Sequence, residues 1–331
     1  MKNLLCVLFL LFVFKNIHSQ KFEWWSASQF EKSYISEMYS PLSRLEIATI
    51  NRLHPTYYKE NPETRAFNEV QTGLQIPVFQ YFQNRPSGDL KIGFSIPISA
   101  LLLIDMFESV TAPLINNDYR FGGKITALYS PYSMQDHFIK NFCLTIVPLF
   151  HESSHIGDEY ALHGYNTLPG FKRINLSYEA WQLFFGINRP DSLAGPLLSA
   201  EIGYQRLMPY KEGYYNADSL EVKGIDILPS QNRDLWLMRM NYQQPVRSVR
   251  ESGGQIVVSA ETRRETKMGY IPENPERIVW SFNGYAGYRI PKKNSRHNIG
   301  IYFRHYRGLV PYGQLRDKAN FRLNAISLVI K

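Results

Sequence analysis

A chain of 331 residues can hold two soluble domains or one large barrel. Its 37 Lys and Arg outnumber 29 Asp and Glu for a net charge of +8, yet the excess is scattered, without the basic runs that grip nucleic acid. A mean hydropathy of −0.29 excludes a helical membrane protein and leaves a barrel open, because barrel strands average an apolar and a polar face.

The chain opens MKNLLCVLFLLFVFKNIHSQ. Lys2, the unbroken apolar stretch from Leu4 to Phe14 and the small residue Ser19 before Gln20 predict a cleaved secretory signal peptide over residues 1–19, and with it export. Only Cys143 then remains of the two cysteines, which leaves no intrachain disulfide. A modest basic excess on an exported protein suits anionic lipid headgroups, so outer-membrane lipids are the expected surroundings. A lipid or other small molecule is the ligand to look for.

Lys21 to Arg65 is irregular. Pro41 and Pro55 bracket a predicted short helix around Leu42–Leu53. Residues 20–66 are therefore expected to form a short, partly helical N-terminal extension that plugs or caps the rest from the periplasmic side.

From Phe67 onward the period is two. Val70, Thr72, Leu74, Ile76 and Val78 alternate with Glu69, Gln71, Gly73 and Gln75, and LKIGFSIPIS repeats the scheme. In DYRFGGKITALYS, Phe121, Ile125, Ala127 and Tyr129 oppose Lys124 and Thr126. In RINLSYEAW, Ile174, Leu176, Tyr178 and Ala180 oppose Arg173, Asn175, Ser177 and Glu179. Trp236, Met238, Met240 and Tyr242, then Ile299, Ile301 and Phe303, then Phe321, Leu323 and Ala325 continue the pattern against Arg239, Arg304, Arg322 and Asn324. Segments of about ten residues suit a tilted membrane crossing. Polar faces of Gly, Gln, Arg, Glu and Asn suit a wet lumen.

The predicted fold is all-β: an antiparallel transmembrane β-barrel over residues 67–331, in the outer membrane. Eleven segments are legible, and bacterial barrels are even-numbered, so about 10–12 strands are expected. Leu207–Arg233 and Gln244–Gly253 read as extracellular connections, and PKKNSRHN as a periplasmic turn.

The densest chemistry lies in NFCLTIVPLFHESSHIGDEY, Asn141 to Tyr160. His151-Glu152-Ser153-Ser154-His155 spells the H-E-x-x-H of zinc proteases, which needs a helix. On a strand the two histidines stand about 13 Å apart, too far to share one metal ion. No metal and no cofactor is called for.

His151 and Ser153 are two apart on a strand, roughly 7 Å, within reach of a base–nucleophile pair. Asn175, which a hairpin centred near residue 163 would bring opposite His151, or Asn166 would orient the imidazole. The spacing resembles the H-x-S arrangement of outer-membrane phospholipase and lipid A deacylase, and implies acyl-ester hydrolysis on phospholipid or lipid A. Those enzymes expose the pair on the outer wall. Here the polar neighbours Arg173, Asn175, Ser177 and Glu179 make the face look lumenal.

The reading the sequence favours is accordingly structural, or that of a narrow pore. Ser154, His155, Asp158 and Glu159, with His151 and Ser153, would form an internal network facing Arg173, Arg239 or Arg304. Which wall His151 and Ser153 project from decides between the two.

HESSHIGDEY, with INNDYRFGGKIT and RINLSYEAWQLFFG around it and YRGLVPYGQL near the C-terminus, resembles a family of bacterial outer-membrane proteins catalogued as domain of unknown function 1207. The family core H-x-S-S-H-x-G-D-E falls on His151, Ser153, Ser154, His155, Gly157, Asp158 and Glu159. The resemblance, from about Asn68 to the end, implies a location and a fold and no activity.

Overall fold

The computed structural model describes residues 20–25, 34–37, 40–51, 64–106, 112–158, 173–189, 197–208, 211–215, 222–226, 234–245, 254–266, 278–291, 298–312 and 321–330. The predicted signal peptide, Glu159 and Asn166 lie outside them. The strands are β1 (Gln20–Trp24), β2 (Ser43–Asn51), β3 (Thr64–Arg85), β4 (Gly88–Ile104), β5 (Leu114–Pro131), β6 (Asn141–Ile156), β7 (Arg173–Arg189), β8 (Leu197–Leu207), β9 (Lys211–Tyr215), β10 (Val222–Asp226), β11 (Asp234–Pro245), β12 (Gln255–Thr266), β13 (Ile278–Pro291), β14 (Asn298–Gly308) and β15 (Phe321–Ile330).

Among the described residues, twelve strands close a barrel: β2 to β8 and β11 to β15, all antiparallel to their neighbours. The eleven legible segments are eleven of the twelve. The missed strand is β2, which closes the cylinder by pairing with β15 on one side and β3 on the other. The expected helix over Leu42–Leu53 is thus a strand, and the barrel begins well before residue 67. The reason is visible in SRLEIATI. Ala48 and Ile50 face inward with Arg44 and Glu46, while Leu45, Ile47 and Thr49 face out. Apolar residues on both faces blur the period of two, and Pro41 then imitates a helix start.

The two ends of the barrel differ. The β3–β4 turn, the β13–β14 connection, the start of β2 and the end of β15 share one end, which short turns mark as periplasmic. The end of β11 at Pro245 and the start of β12 at Gln255 lie at that same end, which corrects the extracellular expectation for the connection between them. The end of β8 and the start of β11 lie at the opposite end, where β9 pairs with β10 and with the first residues of β7. β1 extends the wall on the periplasmic part of β3, from Gln20 opposite Gln83 to Trp24 opposite Phe79.

The outer wall carries a broad apolar band that includes Ile98, Ile146, Phe185, Ile202, Met238, Ile301 and Ile326, all exposed. Such a surface is the mark of an outer-membrane barrel, since water would not tolerate it. Trp181, Tyr204 and Trp236 form a chain of rings above it, with centroids 5.4 and 5.0 Å apart. That is an interfacial girdle on the extracellular side.

Side chains cross the lumen and leave a cavity lined by Tyr34, Glu37, Arg120, Lys124, Glu201 and Arg239. Glu46, Glu69, Arg44 and Arg304 form a buried four-charge cluster. Arg304 Nη1 lies 2.5 Å from Glu46 and 2.6 Å from Glu69, and Arg44 Nη2 lies 2.9 Å from Glu69. The hydroxyls of Tyr285, Tyr312 and Ser327 donate to the same carboxylates at 2.7–2.9 Å. Residues 34–37 and 40–42 also lie inside. Ser36 accepts from Asn283 and donates its N–H to Ser259, Arg239 pairs with Glu37, and Gln71 donates to the Ser40 carbonyl. Pro41 rests on Gly73, where any side chain would collide with it.

Toward the extracellular end the interior turns apolar: Phe67, Leu101, Leu103, Phe321, Leu323 and Ala325 pack with Val310 and Tyr312. Phe321, Leu323 and Ala325, and likewise Tyr178 and Ala180, therefore point inward, and Arg322, Asn324 and Ser177 are exposed on the outside. The inside–outside assignment from the sequence inverts at this rim. Strands that rise past the lipid meet water and headgroups outside, while their inner face caps the core.

Candidate functional site

The extracellular third of β6 is positioned by one proline. Pro148 has no N–H for the ladder, and the pairing of β6 slips on both sides of it, between Gly123 and Ile125 of β5 and between Val147 and Phe150 of β6 itself. Val147 and Phe150 both face in, with Pro148 and Leu149 exposed between them. Without that extra residue the alternation set by Phe142 and Ile146 would carry His151, Ser153 and His155 inward. With it they face out. Gly157 ends the strand, its N–H on the Ile115 carbonyl at 3.1 Å, so close to β5 that any Cβ would strike the Leu114 carbonyl.

The predicted cluster is thereby split between two walls. Glu152 and Ser154 are buried inside, Ser154 donating to Asn116 Oδ1 at 3.3 Å. His151, Ser153 and His155 stand outside, which corrects the expected internal network. Asp158 is exposed beyond the strand end. Arg239 and Arg304, expected to face this cluster, pair instead with Glu37 and Glu261, and with Glu46 and Glu69.

Across the β6–β7 ladder, His151 stands opposite Glu179 and Ser153 opposite Ser177. Asn175, expected opposite His151, lies four residues away along β7, opposite Gly213 of β9, and Arg173 lies opposite Tyr215. The side chains of Arg173 and Asn175 are outside the described residues. The nearest partner of Ser153 is His155, Oγ to Nε2 at 3.0 Å, rather than His151.

His151 has its own partners. Its Nδ1 lies 3.1 Å from Glu179 Oε1 and its Nε2 lies 3.3 Å from Ser177 Oγ. The Phe121 ring covers the imidazole at 5.3 Å. A carboxylate can only accept, so Nδ1 carries the proton and donates to Glu179. Nε2 is then left with its lone pair toward the Ser177 hydroxyl. Carboxylate, imidazole and serine thus stand in series, the order that makes a hydroxyl nucleophilic. Both ends of the series are reachable: the His151 side chain is 27% exposed, Glu179 44%, and Ser177 is exposed.

Ser177 and Glu179 went unnamed as catalytic candidates because their value depends on the β6–β7 register. A hairpin four residues out of step brings Asn175 to His151 in place of Glu179. The site also sits at a definite depth. Leu149 on β6 and Leu183 on β7 continue the apolar band below it, and Trp181 of the girdle is two residues from Glu179. His151 and Ser177 therefore stand on the outer wall, close to the height of the aromatic girdle.

Among solved structures, the chain is similar to the Salmonella typhi outer membrane phospholipase dimer with bound calcium, at 10% identity over 89% of this chain and 93% of that one, with a TM-score of 0.46. It is similar to outer membrane phospholipase A from Escherichia coli at 11% identity over 91% and 95%, with a TM-score of 0.45. A Pseudomonas aeruginosa FadL homologue matches at 9% identity over 87% and 89%, with a TM-score of 0.41. No curated protein sequence matches the chain. Residues 41–193 match the family described as "Protein of unknown function (DUF1207)", a span running from before β2 to just past β7 and containing His151, Ser153, Ser177 and Glu179.

Proposed function

We propose that the protein is an acyl-ester hydrolase of outer-leaflet lipids, phospholipid or lipid A, with Ser177 as nucleophile, His151 as general base and Glu179 holding the imidazole. The observation that carries this reading is the Ser177–His151–Glu179 series on the outer wall, close to the height of the aromatic girdle. A lipid whose acyl chains lie against Leu149 and Leu183 brings its ester linkages up to Ser177.

Ser177 Oγ attacks the ester carbonyl as Nε2 of His151 takes the hydroxyl proton. That proton leaves with the alcohol, and an acyl-serine remains. Water then attacks the acyl-serine, giving its proton to the same nitrogen, and the fatty acid departs as the Ser177 hydroxyl is restored. Ser153, opposite Ser177, is a neighbour of the reacting carbonyl in this arrangement rather than its attacker.

The side-chain networks that cross the lumen, with residues 34–37 and 40–42 held among them, support a barrel that acts from its outer surface. The test is fatty-acid release from mixed micelles of phospholipid or lipid A. Release by the wild type and its loss in Ser177→Ala are expected. Equal release by both proteins, or none by the wild type with either lipid, rejects the reading.

A further inference from the structure

On another part of the outer wall, Arg307 of β14 and Arg322 of β15 stand directly opposite one another, both exposed. Directly opposed side chains on one sheet face have Cβ atoms about 4.5–5.5 Å apart, and like charges there repel. Their partners in register are uncharged residue types, Phe282 opposite Arg307 and Asn51 opposite Arg322. One step toward the membrane, His305 opposes Asn324, joined Nδ1 to Oδ1 at 2.8 Å. That bond uses the Asn324 oxygen and leaves its amide N–H groups to donate. Gly284 beside His305 and Thr49 beside Asn324 add no carboxylate.

Below this pair the face changes abruptly. Phe303 opposes Ile326 and Ile301 opposes Leu328, all exposed. A donor-rich, cationic patch thus sits on top of an oily panel, on a wall that faces lipid. Such a surface matches one kind of molecule: an anionic headgroup above acyl chains.

We propose that the outer wall of β14 and β15 binds a phosphorylated outer-leaflet lipid of the lipid A type, its phosphate bridging Arg307 and Arg322 and its chains lying on Phe303, Ile301, Ile326 and Leu328. A shared phosphate turns the mutual repulsion of the two guanidinium groups into two charge-assisted contacts. Asn324 donates to the same group from below. The site is separate from Ser177 and stands whether or not that serine is a nucleophile.

Full-length protein in detergent micelles is titrated with bisphosphorylated lipid A, with dephosphorylated lipid A of the same acylation, and with millimolar inorganic phosphate as competitor. The wild type is expected to favour the phosphorylated lipid by about tenfold, and Arg307→Gln with Arg322→Gln to abolish that preference. Equal binding of the two lipids, or an unchanged preference in the double variant, overturns the proposal. Displacement of the lipid by inorganic phosphate overturns the lipid as occupant. If the double variant does not form the barrel, each single Gln variant is expected to lower the preference by about threefold. Failure of both singles to lower it overturns the proposal as well.

Discussion

Two clusters of ionisable side chains, one on each side of the wall, are built from similar residue types and do different things. Inside, Glu46 and Glu69 are locked between Arg44 and Arg304 and take further hydrogen bonds from Tyr285, Tyr312 and Ser327. Charges cancel and the carboxylate oxygens are occupied. Outside, Glu179 holds one nitrogen of His151 and the other nitrogen meets an exposed serine hydroxyl. The first arrangement is buried, with both carboxylates held by guanidinium and hydroxyl groups. The second is a chain with an open end. Burial and bond closure, rather than residue type, separate a structural network from a reactive one.

Breaking the outer chain has the largest expected effect. Ser177→Ala is expected to lower fatty-acid release by about 10,000-fold with the barrel intact, checked by the heat-dependent gel mobility of the folded protein. Glu179→Gln keeps the shape and loses the charge that fixes the tautomer, so a drop of about a thousandfold is expected in the same assay.

Breaking the inner cluster acts on stability instead. Arg304→Met strands two buried carboxylates and is expected to cost about 3–5 kcal/mol in denaturant unfolding. Turnover per folded molecule is expected to stay unchanged. Ser153→Ala sharpens the division on the outer face: it removes the partner of His155 and spares the His151 series, so activity is expected to fall by less than about tenfold.

The smallest effect concerns the segment in the lumen. Burial alone would push the Glu37 carboxyl up, but Arg239, with Lys124, Arg120 and Arg263 behind it, outweighs burial and holds it below the usual carboxylate range. A depressed carboxyl contributes stability above its unfolded pKa and loses it as pH falls through the folded value. Acidification below the usual carboxylate range is expected to expose a cysteine placed at Ser36 to a thiol reagent, while neutral pH protects it.

The barrel was legible in the sequence because its middle obeys one rule. Met238, Met240, Ile299, Ile301 and Phe303 face lipid, and Arg239 and Arg304 face in, as alternation requires. β2 was hidden because Ala48 and Ile50 share the inner face with Arg44 and Glu46. The site residues His151, Ser153 and His155 were visible as chemistry, but their wall was not. The extra residue at Pro148 reverses the alternation, and near the rim polar no longer means inside. Ser177 and Glu179 needed the register between β6 and β7, which the fourteen residues joining the described parts of those strands, 159–172, do not reveal.

A fluorophosphonate probe, with the modified residue mapped by mass spectrometry on the folded wild type and on His151→Asn, tests the outward Ser177–His151–Glu179 series most directly. Modification of Ser177 in the wild type and its absence in His151→Asn are expected. Modification of Ser153 alone, or none at any serine, contradicts the assignment.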